Sequence, residues 1–196
     1  GTFVMRVEDL DAPRAVPGMD AAILDDLRWM GLDWDHGPDV GGPDGPYHQS
    51  ERFGHYEDAL THFEKGLEHD SSRPYMHYGK GLALINMDQE QTAMESMVQA
   101  IEQGQETGDQ RTAQLATKRI QDHYVAKASE VLNTQDPTQD QADEALSYLD
   151  QMEEYVDPDP RAYFYRATAL YHKDQYDNAI AAARQGLDIF DGSRSD

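Results

Sequence analysis

The chain has 196 residues, and its 38 acidic side chains outnumber its 16 basic ones, which leaves a formal net charge of −22. The absence of cysteine excludes disulfides, thiolate nucleophiles and cysteine-ligated zinc, and no stretch reaches the roughly 20 apolar residues of a membrane span. Because Asp is abundant and Lys is scarce, the composition fits a halophilic protein, with an acidic mesophilic surface as the alternative. We therefore expect a cytoplasmic chain without a membrane partner.

The first part of the chain mixes one predicted strand, one helix and a long loop. Alternating apolar residues over Thr2–Glu8 predict a strand. Apolar residues recur at helical spacing from Met19 to Met30, and Gly31 ends this helix. Residues 31–46 are rich in Gly, Pro and Asp, a composition typical of a loop rather than of a helix or an inner strand.

Helical periodicity dominates from Ser50 onward, and short breakers divide it into segments. Asp159-Pro160 is a strong start signal, because an N-cap aspartate precedes a proline at the first helical position. No strand-like alternation occurs after residue 50 in the sequence. We predict an all-α region with helices at 51–69, 74–87, 90–103, 110–132, 141–155, 160–172 and 176–190.

Small residues recur at a fixed interval in this helical region. Ala59 and Ala93 are 34 residues apart, as are Ala145 and Ala179, and the interval between the two pairs is 34 residues plus an 18-residue insertion. A small residue at this position lets the two helices of a hairpin approach closely, and the residue four positions later fills the gap to the next hairpin. The period therefore predicts an array of stacked helical hairpins.

The last hairpin carries the clearest repeat motif. It reads Tyr-x3-Ala-x2-Leu over 163–170 and Tyr-x2-Ala-x3-Ala-x2-Gly over 176–186. Together with the 34-residue period, this motif resembles the tetratricopeptide repeat over about residues 56–190, and an unrelated helical bundle is the alternative. The resemblance implies a mainly α fold in which residues 53–196 form an antiparallel helix-hairpin solenoid.

A repeat array of this kind has a concave groove, lined by the first helix of each hairpin, that binds an extended or helical segment of a partner protein. Tyrosine and arginine are favoured anchors at such interfaces, although packing between hairpins is the alternative for the aromatic residues. Because the chain is so acidic, we expect a basic or neutral partner. The resemblance implies that the groove is lined by Tyr75, Tyr78, Asn86, Arg161, Phe164, Thr168, Tyr171 and His172.

The N-terminal part carries a different resemblance. Three ordered blocks read Arg-Val-Glu-Asp-Leu-Asp-Ala-Pro-Arg at 6–14, Leu-Arg-Trp-Met-Gly-Leu-Asp-Trp-Asp at 27–35 and Gly-Pro-Tyr-His-Gln-Ser-Glu-Arg at 45–52. Together they resemble the catalytic domain of glutamate-specific class I aminoacyl-tRNA synthetases, and the first block is similar to that of glutamyl-queuosine tRNA(Asp) synthetases. The resemblance implies that residues 1–52 are a partial α/β domain in which Glu8 helps to hold the ammonium group of substrate glutamate.

Two motifs of the synthetase family are missing from this chain. The family activates glutamate with ATP through an upstream His-x-Gly-His-type motif and a downstream Lys-Ser-rich loop, and no phosphate loop replaces them here. We therefore expect no synthetase activity from this chain alone. The junction at Phe53–Leu60 fits a natural fusion, a recombined reading frame or an engineered chimera. The start at Gly1 favours an incomplete or artificial N terminus.

The histidine spacing argues against a metal site. His48, His55, His62 and His69 fall every seven residues, and seven residues climb about 10.5 Å along a helix. Two ligands of one ion must each lie within about 2.1 Å of it, so this spacing cannot chelate. The acidic residues have neither calcium-loop spacing nor the arrangement of an acid–base pair. We predict no catalytic residue, no metal and no other cofactor.

These observations favour a non-catalytic module or scaffold that binds a protein or peptide segment in the groove of its repeats. The alternative is a glutamate-specific tRNA ligase of which only a fragment is present, and tRNA and ATP are partners only in that case. A third possibility is an assembly subunit that associates with its own copies through the terminal helices.

Overall fold

The computed structural model describes residues 1–7 and 18–192 of the chain. These residues form eight α-helices and a short 3₁₀ turn at Ser50–Arg52. The predicted helices are confirmed, with bounds that agree to within a few residues. The helices are α1 (Met19–Trp29), α2 (Phe53–His69), α3 (Pro74–Ile85), α4 (Glu90–Thr107), α5 (Gln110–Leu132), α6 (Gln139–Glu153), α7 (Pro160–His172) and α8 (Tyr176–Gly192).

Capping side chains explain where the later helices begin. Thr138 and Gln141 form a capping box before α6, in which each side chain accepts a hydrogen bond from the backbone N–H of the other residue. Asp159 accepts hydrogen bonds from the backbone N–H groups of Arg161 and Ala162 at the start of α7. Both caps satisfy donors that the first helical turn would otherwise leave unpaired.

The helices from α2 to α8 form a layered array. Each helix packs against the next one in the chain, and α5 also contacts α3 on one side and α7 on the other. The helices α3, α5 and α7 therefore lie side by side, as the first helices of consecutive hairpins do in a solenoid. The 18-residue insertion largely lengthens α5, which has 23 residues against 12 in α3 and 13 in α7.

The core follows the predicted alternation of small and large residues. Ala93, Ala145 and Ala179 are all buried, and Met97 and Leu149, each four residues after one of these alanines, are fully buried. The small side chains allow the helices of a hairpin to approach, and the large ones fill the space toward the next hairpin. One continuous cluster of buried residues joins α4, α5, α6 and α7.

A polar cluster holds the long α5 against α4. The Nζ atom of Lys127 lies 2.5 Å from Glu90 Oε2 and 4.6 Å from the ring centre of Tyr148, and Nε2 of His123 lies 3.4 Å from Glu90 Oε1. Burial raises the pKa of Glu90, but the hydrogen bond and charge of Lys127 outweigh it, so the net shift is downward. Burial lowers the pKa of His123. Glu90 is therefore ionised at neutral pH and pairs mainly with Lys127.

The predicted strand at the N terminus is not confirmed in the described residues. Residues 1–7 make only two isolated parallel bridges, Val4 with His36 and Val7 with His48. The facing residues, His36 and His48, lie within and just after the loop of residues 31–46. A loop so rich in Gly and Pro cannot supply the continuous backbone ladder that a parallel strand needs. The short α/β fragment is thus not confirmed, and Glu8 lies outside the described residues.

The α1 region packs locally rather than on the repeats. Among the described helices, α1 makes no close backbone contact with any other. Leu24 and Trp34 are buried, the guanidinium of Arg28 lies 5.0 Å from the ring centre of Trp34, and the indole N–H donates to Asp39. Within the described residues, this small cluster leaves an uncovered apolar surface. Its exposed side chains are Phe3, Met19, Ile23, Trp29, Met30 and Leu32.

Candidate protein-binding groove

A cavity of about 680 Å³ lies between α5 and α7, on the face where the first helices of the hairpins stand side by side. We call it the groove cavity. Two of the predicted groove residues, Arg161 and Phe164, contribute to it. Its lining is Lys118, Asp122, Val125, Ala126, Ser129, Pro160, Arg161, Phe164 and Tyr165.

Two carboxylates hold Arg161 in place at the edge of the groove cavity. Its Nε donates to Asp159 Oδ2 at 2.8 Å, and its Nη2 donates to Asp122 Oδ1 at 2.7 Å. The hydrogen bond to Asp159 and then that to Asp122 raise the pKa of Arg161. Burial raises the pKa of Asp122, but the hydrogen bonds from Arg161 and Lys118 lower this pKa by more, so the net shift is downward. The two carboxylates therefore fix the side chain of Arg161 and neutralise its charge, so that it is not a free cation.

Phe164 supplies the exposed apolar surface of the groove cavity. Its side chain is 63% exposed, and its ring meets the ring of Tyr165 edge to face at 5.1 Å between centres. The hydroxyl of Tyr165 accepts a hydrogen bond of 2.9 Å from Ser129 Oγ on α5. This bond links α5 to α7 across the cavity and keeps the tyrosine side chain fixed. The arrangement provides a rigid wall against which a partner's apolar side chain can pack.

The predicted residues on α3 form a separate group. Tyr75 is 62% exposed, whereas Tyr78 packs partly against the core, and their ring centres are 6.5 Å apart. Asn86 does not join them on an open surface. Its Oδ1 accepts from Gln49 Nε2 at 3.2 Å, and it lines a smaller cavity with Arg52 of the N-terminal region.

The remaining predicted residues follow one another along α7. Thr168 Oγ1 donates to the backbone carbonyl of Phe164 at 2.9 Å. Tyr171 is exposed, and its ring lies 5.5 Å from that of His172 and 5.6 Å from that of Tyr176. This aromatic group lies at the junction of α7 with α8, outside the lining of the groove cavity. The eight predicted residues are thus not gathered at one site, and only Arg161 and Phe164 line the groove cavity.

Sequence reasoning missed the side of the groove cavity that α5 provides. Lys118 and Asp122 occupy the ninth and thirteenth positions of α5, as Thr168 and His172 do in α7. Counting from the helix start, which Asp109 caps through the backbone N–H of Thr112, would have identified them. The 34-residue period could not, because the insertion in α5 shifts that register.

The described residues contain no group of three or more His, Asp or Glu side chains arranged to hold a metal ion. No helix in the described ranges combines the length and the hydrophobicity needed to cross a membrane.

Two family models match separate parts of the chain. Residues 138–194, which span α6 to α8, match the tetratricopeptide repeat model. Residues 1–67 match the model for the catalytic domain of class I tRNA synthetases for Glu and Gln. The second match continues beyond residue 52 through most of α2. Both resemblances inferred from the motifs are confirmed as matches over these residues.

Two curated relatives are similar to about a third of this chain. A glutamate–tRNA ligase of Cellvibrio japonicus is 58% identical over 69 residues, which are 34% of this chain and 13% of that protein. A glutamyl-Q tRNA(Asp) synthetase of Symbiobacterium thermophilum is 55% identical over 64 residues, 33% of this chain and 20% of that protein. The chain therefore spans only a small fraction of the length of these relatives.

Proposed function

We propose that the chain is a non-catalytic interaction module whose repeat array, residues 53–196, binds a segment of a partner protein in the groove cavity. The observation that carries the proposal is the exposed ring of Phe164 beside a cavity of about 680 Å³ between two first helices. The match of α6 to α8 to the tetratricopeptide repeat supports it, since such arrays present a concave binding surface.

The charges of the groove cavity favour an uncharged anchor on the partner. Arg161 is already paired with Asp122 and Asp159, and Lys118 lies 3.1 Å from the same Asp122 carboxylate. A carboxylate of the partner would have to displace these pairs, whereas an apolar side chain can pack against Phe164 without disturbing them. Basic or neutral flanking residues suit the net charge of −22. We propose an apolar anchor in a neutral or basic segment.

Substitution of Phe164 tests the groove directly. A displayed library of random 15-residue peptides is selected on the full chain at low and at high salt, and the selected peptides are measured by calorimetry. We expect Phe164→Ala to weaken binding about 10-fold or more, because truncation of a central aromatic anchor typically costs about 2 kcal/mol. Tyr75→Ala should weaken the binding of longer peptides that also reach α3.

Trp29→Ala is the matched control, because Trp29 is an exposed aromatic residue on α1, away from the repeats. It should leave peptide affinity unchanged. Equal peptide affinity for the unmodified chain and for both variants, Phe164→Ala and Tyr75→Ala, would overturn the groove proposal. Binding lost only in Trp29→Ala would assign the recognition to the uncovered apolar surface around α1.

The second candidate is a glutamate–tRNA ligase activity, favoured by the identity of the N-terminal part to such enzymes. On this alternative the chain contributes one portion of a catalytic domain, Glu8 contacts glutamate, and tRNA and ATP are partners. The uncovered apolar side chains around α1 are the surface that the missing parts of such a domain would cover.

Glutamate-dependent exchange of pyrophosphate into ATP separates the two candidates. We expect no exchange above background from this chain, at low or high salt, because the ATP-binding motifs of the family are absent from its sequence. A full-length glutamate–tRNA ligase serves as the positive control. Exchange that depends on both glutamate and the chain would overturn the non-catalytic proposal and support the ligase alternative.

A further inference from the structure

The last helix carries a stripe of apolar side chains that are exposed. The exposed side chains include Ile180, which is 50% exposed, and Leu187, which is 62% exposed. Alternating steps of four and three residues place all members of the stripe on one side of the helix, as in a coiled-coil seam. The other side of α8, with Ala179, Ala182 and Gly186, is buried. The stripe consists of Tyr176, Ile180, Ala183, Leu187 and Phe190.

The same positions are covered in an earlier hairpin. Aligning the small residues Ala93 and Ala179 places Met94 of α4 opposite Ile180 of α8 in the repeat register. Met94 is fully buried, in the cluster to which α5 also contributes, and α5 packs directly on α4. In this fold the surface that α8 leaves exposed is therefore one that a further helix normally covers.

The C-terminal part of the stripe differs from the surface that receives α5. In α4 the equivalent of Phe190 is Gly104, where an added Cβ would lie 2.9 Å from the Cβ of Ala113 and 2.9 Å from the carbonyl oxygen of Asp109. The close approach of α5 depends on that glycine. A phenylalanine at this point keeps a covering helix farther away, so the stripe suits a helix that brings large side chains of its own.

We propose that the stripe of α8 pairs with the stripe of a second copy in an antiparallel, two-fold symmetric helix pair. In one register Ile180 faces the partner's Ala183, and Tyr176 faces the partner's Leu187, so that large residues meet smaller or complementary ones. Asp177 then lies beside the partner's Arg184, and the two-fold axis repeats this ion pair.

Charge selects this register over the neighbouring one. Asp177 and Arg184 are exposed, and neither forms an ion pair among the described residues. Shifting the helices by one heptad would place Arg184 beside the partner's Arg184, and Asp177 beside the partner's Asp191, in repulsive contacts. Flanking charges of this kind set the orientation and partner choice of helix pairs. The proposal does not depend on peptide binding in the groove cavity.

Sedimentation velocity over a range of concentrations tests the proposal on the full chain. We expect a species of twice the 22.1 kDa chain mass at tens of micromolar. Leu187→Asp should raise the dissociation constant of the dimer at least 10-fold. Leu115→Asp, at an exposed position of α5, is the matched control and should leave the dimer intact. Circular dichroism verifies that each variant keeps its helical content.

The charge-swapped variants test the register itself. Asp177→Arg and Arg184→Asp should each weaken the dimer several-fold, and the double variant should restore it, because the pair is re-formed with its signs exchanged. A monomer at all concentrations would overturn the proposal, and the stripe would then be a surface for another segment or another protein. A dimer insensitive to Leu187→Asp, or one strengthened by Asp177→Arg, would overturn it as well.

Discussion

Ile120→Ala is expected to lower the free energy of unfolding by about 2–5 kcal/mol. Ile120 lies in the middle of α5, is fully buried and belongs to the cluster that joins α4, α5, α6 and α7. The change removes three carbon atoms from a site that neighbouring helices cannot easily refill, so both burial and packing are lost. For a chain of this size each kcal/mol lowers the melting temperature by about 2–4 °C.

Leu115→Ala is the matched control for this prediction. Leu115 lies on the same helix but is 40% exposed, so its truncation should change the free energy of unfolding by less than about 0.5 kcal/mol. Urea denaturation followed by circular dichroism measures both variants. Equal losses for the two variants would show that α5 is not the centre of the packed array, and would contradict the arrangement of the hairpins described above.

The helices could be predicted because their signals are local. The pair Asp159-Pro160 predicted the start of α7, and both the N-cap hydrogen bonds and the first residue of the helix agree with it. For α5 the prediction of residues 110–132 also matches, although this helix is far longer than its equivalents. Apolar periodicity and capping chemistry depend on residues within one or two turns, and both can be identified in a single sequence.

The strand prediction is not confirmed, because a strand is not a local structure. Alternation over Thr2–Glu8 indicates extended backbone with one apolar face, and the described residues of this segment do make parallel bridges at Val4 and Val7. A continuous ladder requires a regular partner strand, which in a parallel sheet comes from a distant part of the chain. The residues that face this segment, His36 and His48, lie within and just after the loop of residues 31–46, whose Gly and Pro content interrupts such pairing.

The groove could be predicted only in part. Repeat positions identified Arg161 and Phe164, which do line the groove cavity, but also Asn86, which contacts Gln49 of the N-terminal region instead. A repeat register predicts which face of a helix a residue occupies, but it does not predict which neighbouring segment covers that face. The contribution of Asp122 was missed because the insertion in α5 breaks the register.

Gly104 lies where α4 packs tightly against the start of α5. An added Cβ there would lie 2.9 Å from the backbone oxygen of Asp109 and 3.1 Å from the backbone nitrogen of Ala113. Backbone atoms cannot turn away as the end of a flexible side chain can. Gly54, near the start of α2, has no atom within 4 Å of an added Cβ and is exposed. The two helical glycines thus differ in surroundings.

Gly104→Leu is expected to lower the free energy of unfolding by about 2 kcal/mol, because overpacking against the backbone of α5 costs about 3 kcal/mol and exceeds the gain of about 1 kcal/mol from better helix propensity. Gly54→Leu, the control, should raise stability by about 0.5 kcal/mol, since only the propensity changes. Urea denaturation of both variants gives the sign of each effect. Stabilisation by Gly104→Leu would mean that α4 and α5 do not meet closely at this glycine. It would then also be wrong that a large residue at this repeat position, such as Phe190 in α8, keeps a covering helix farther away.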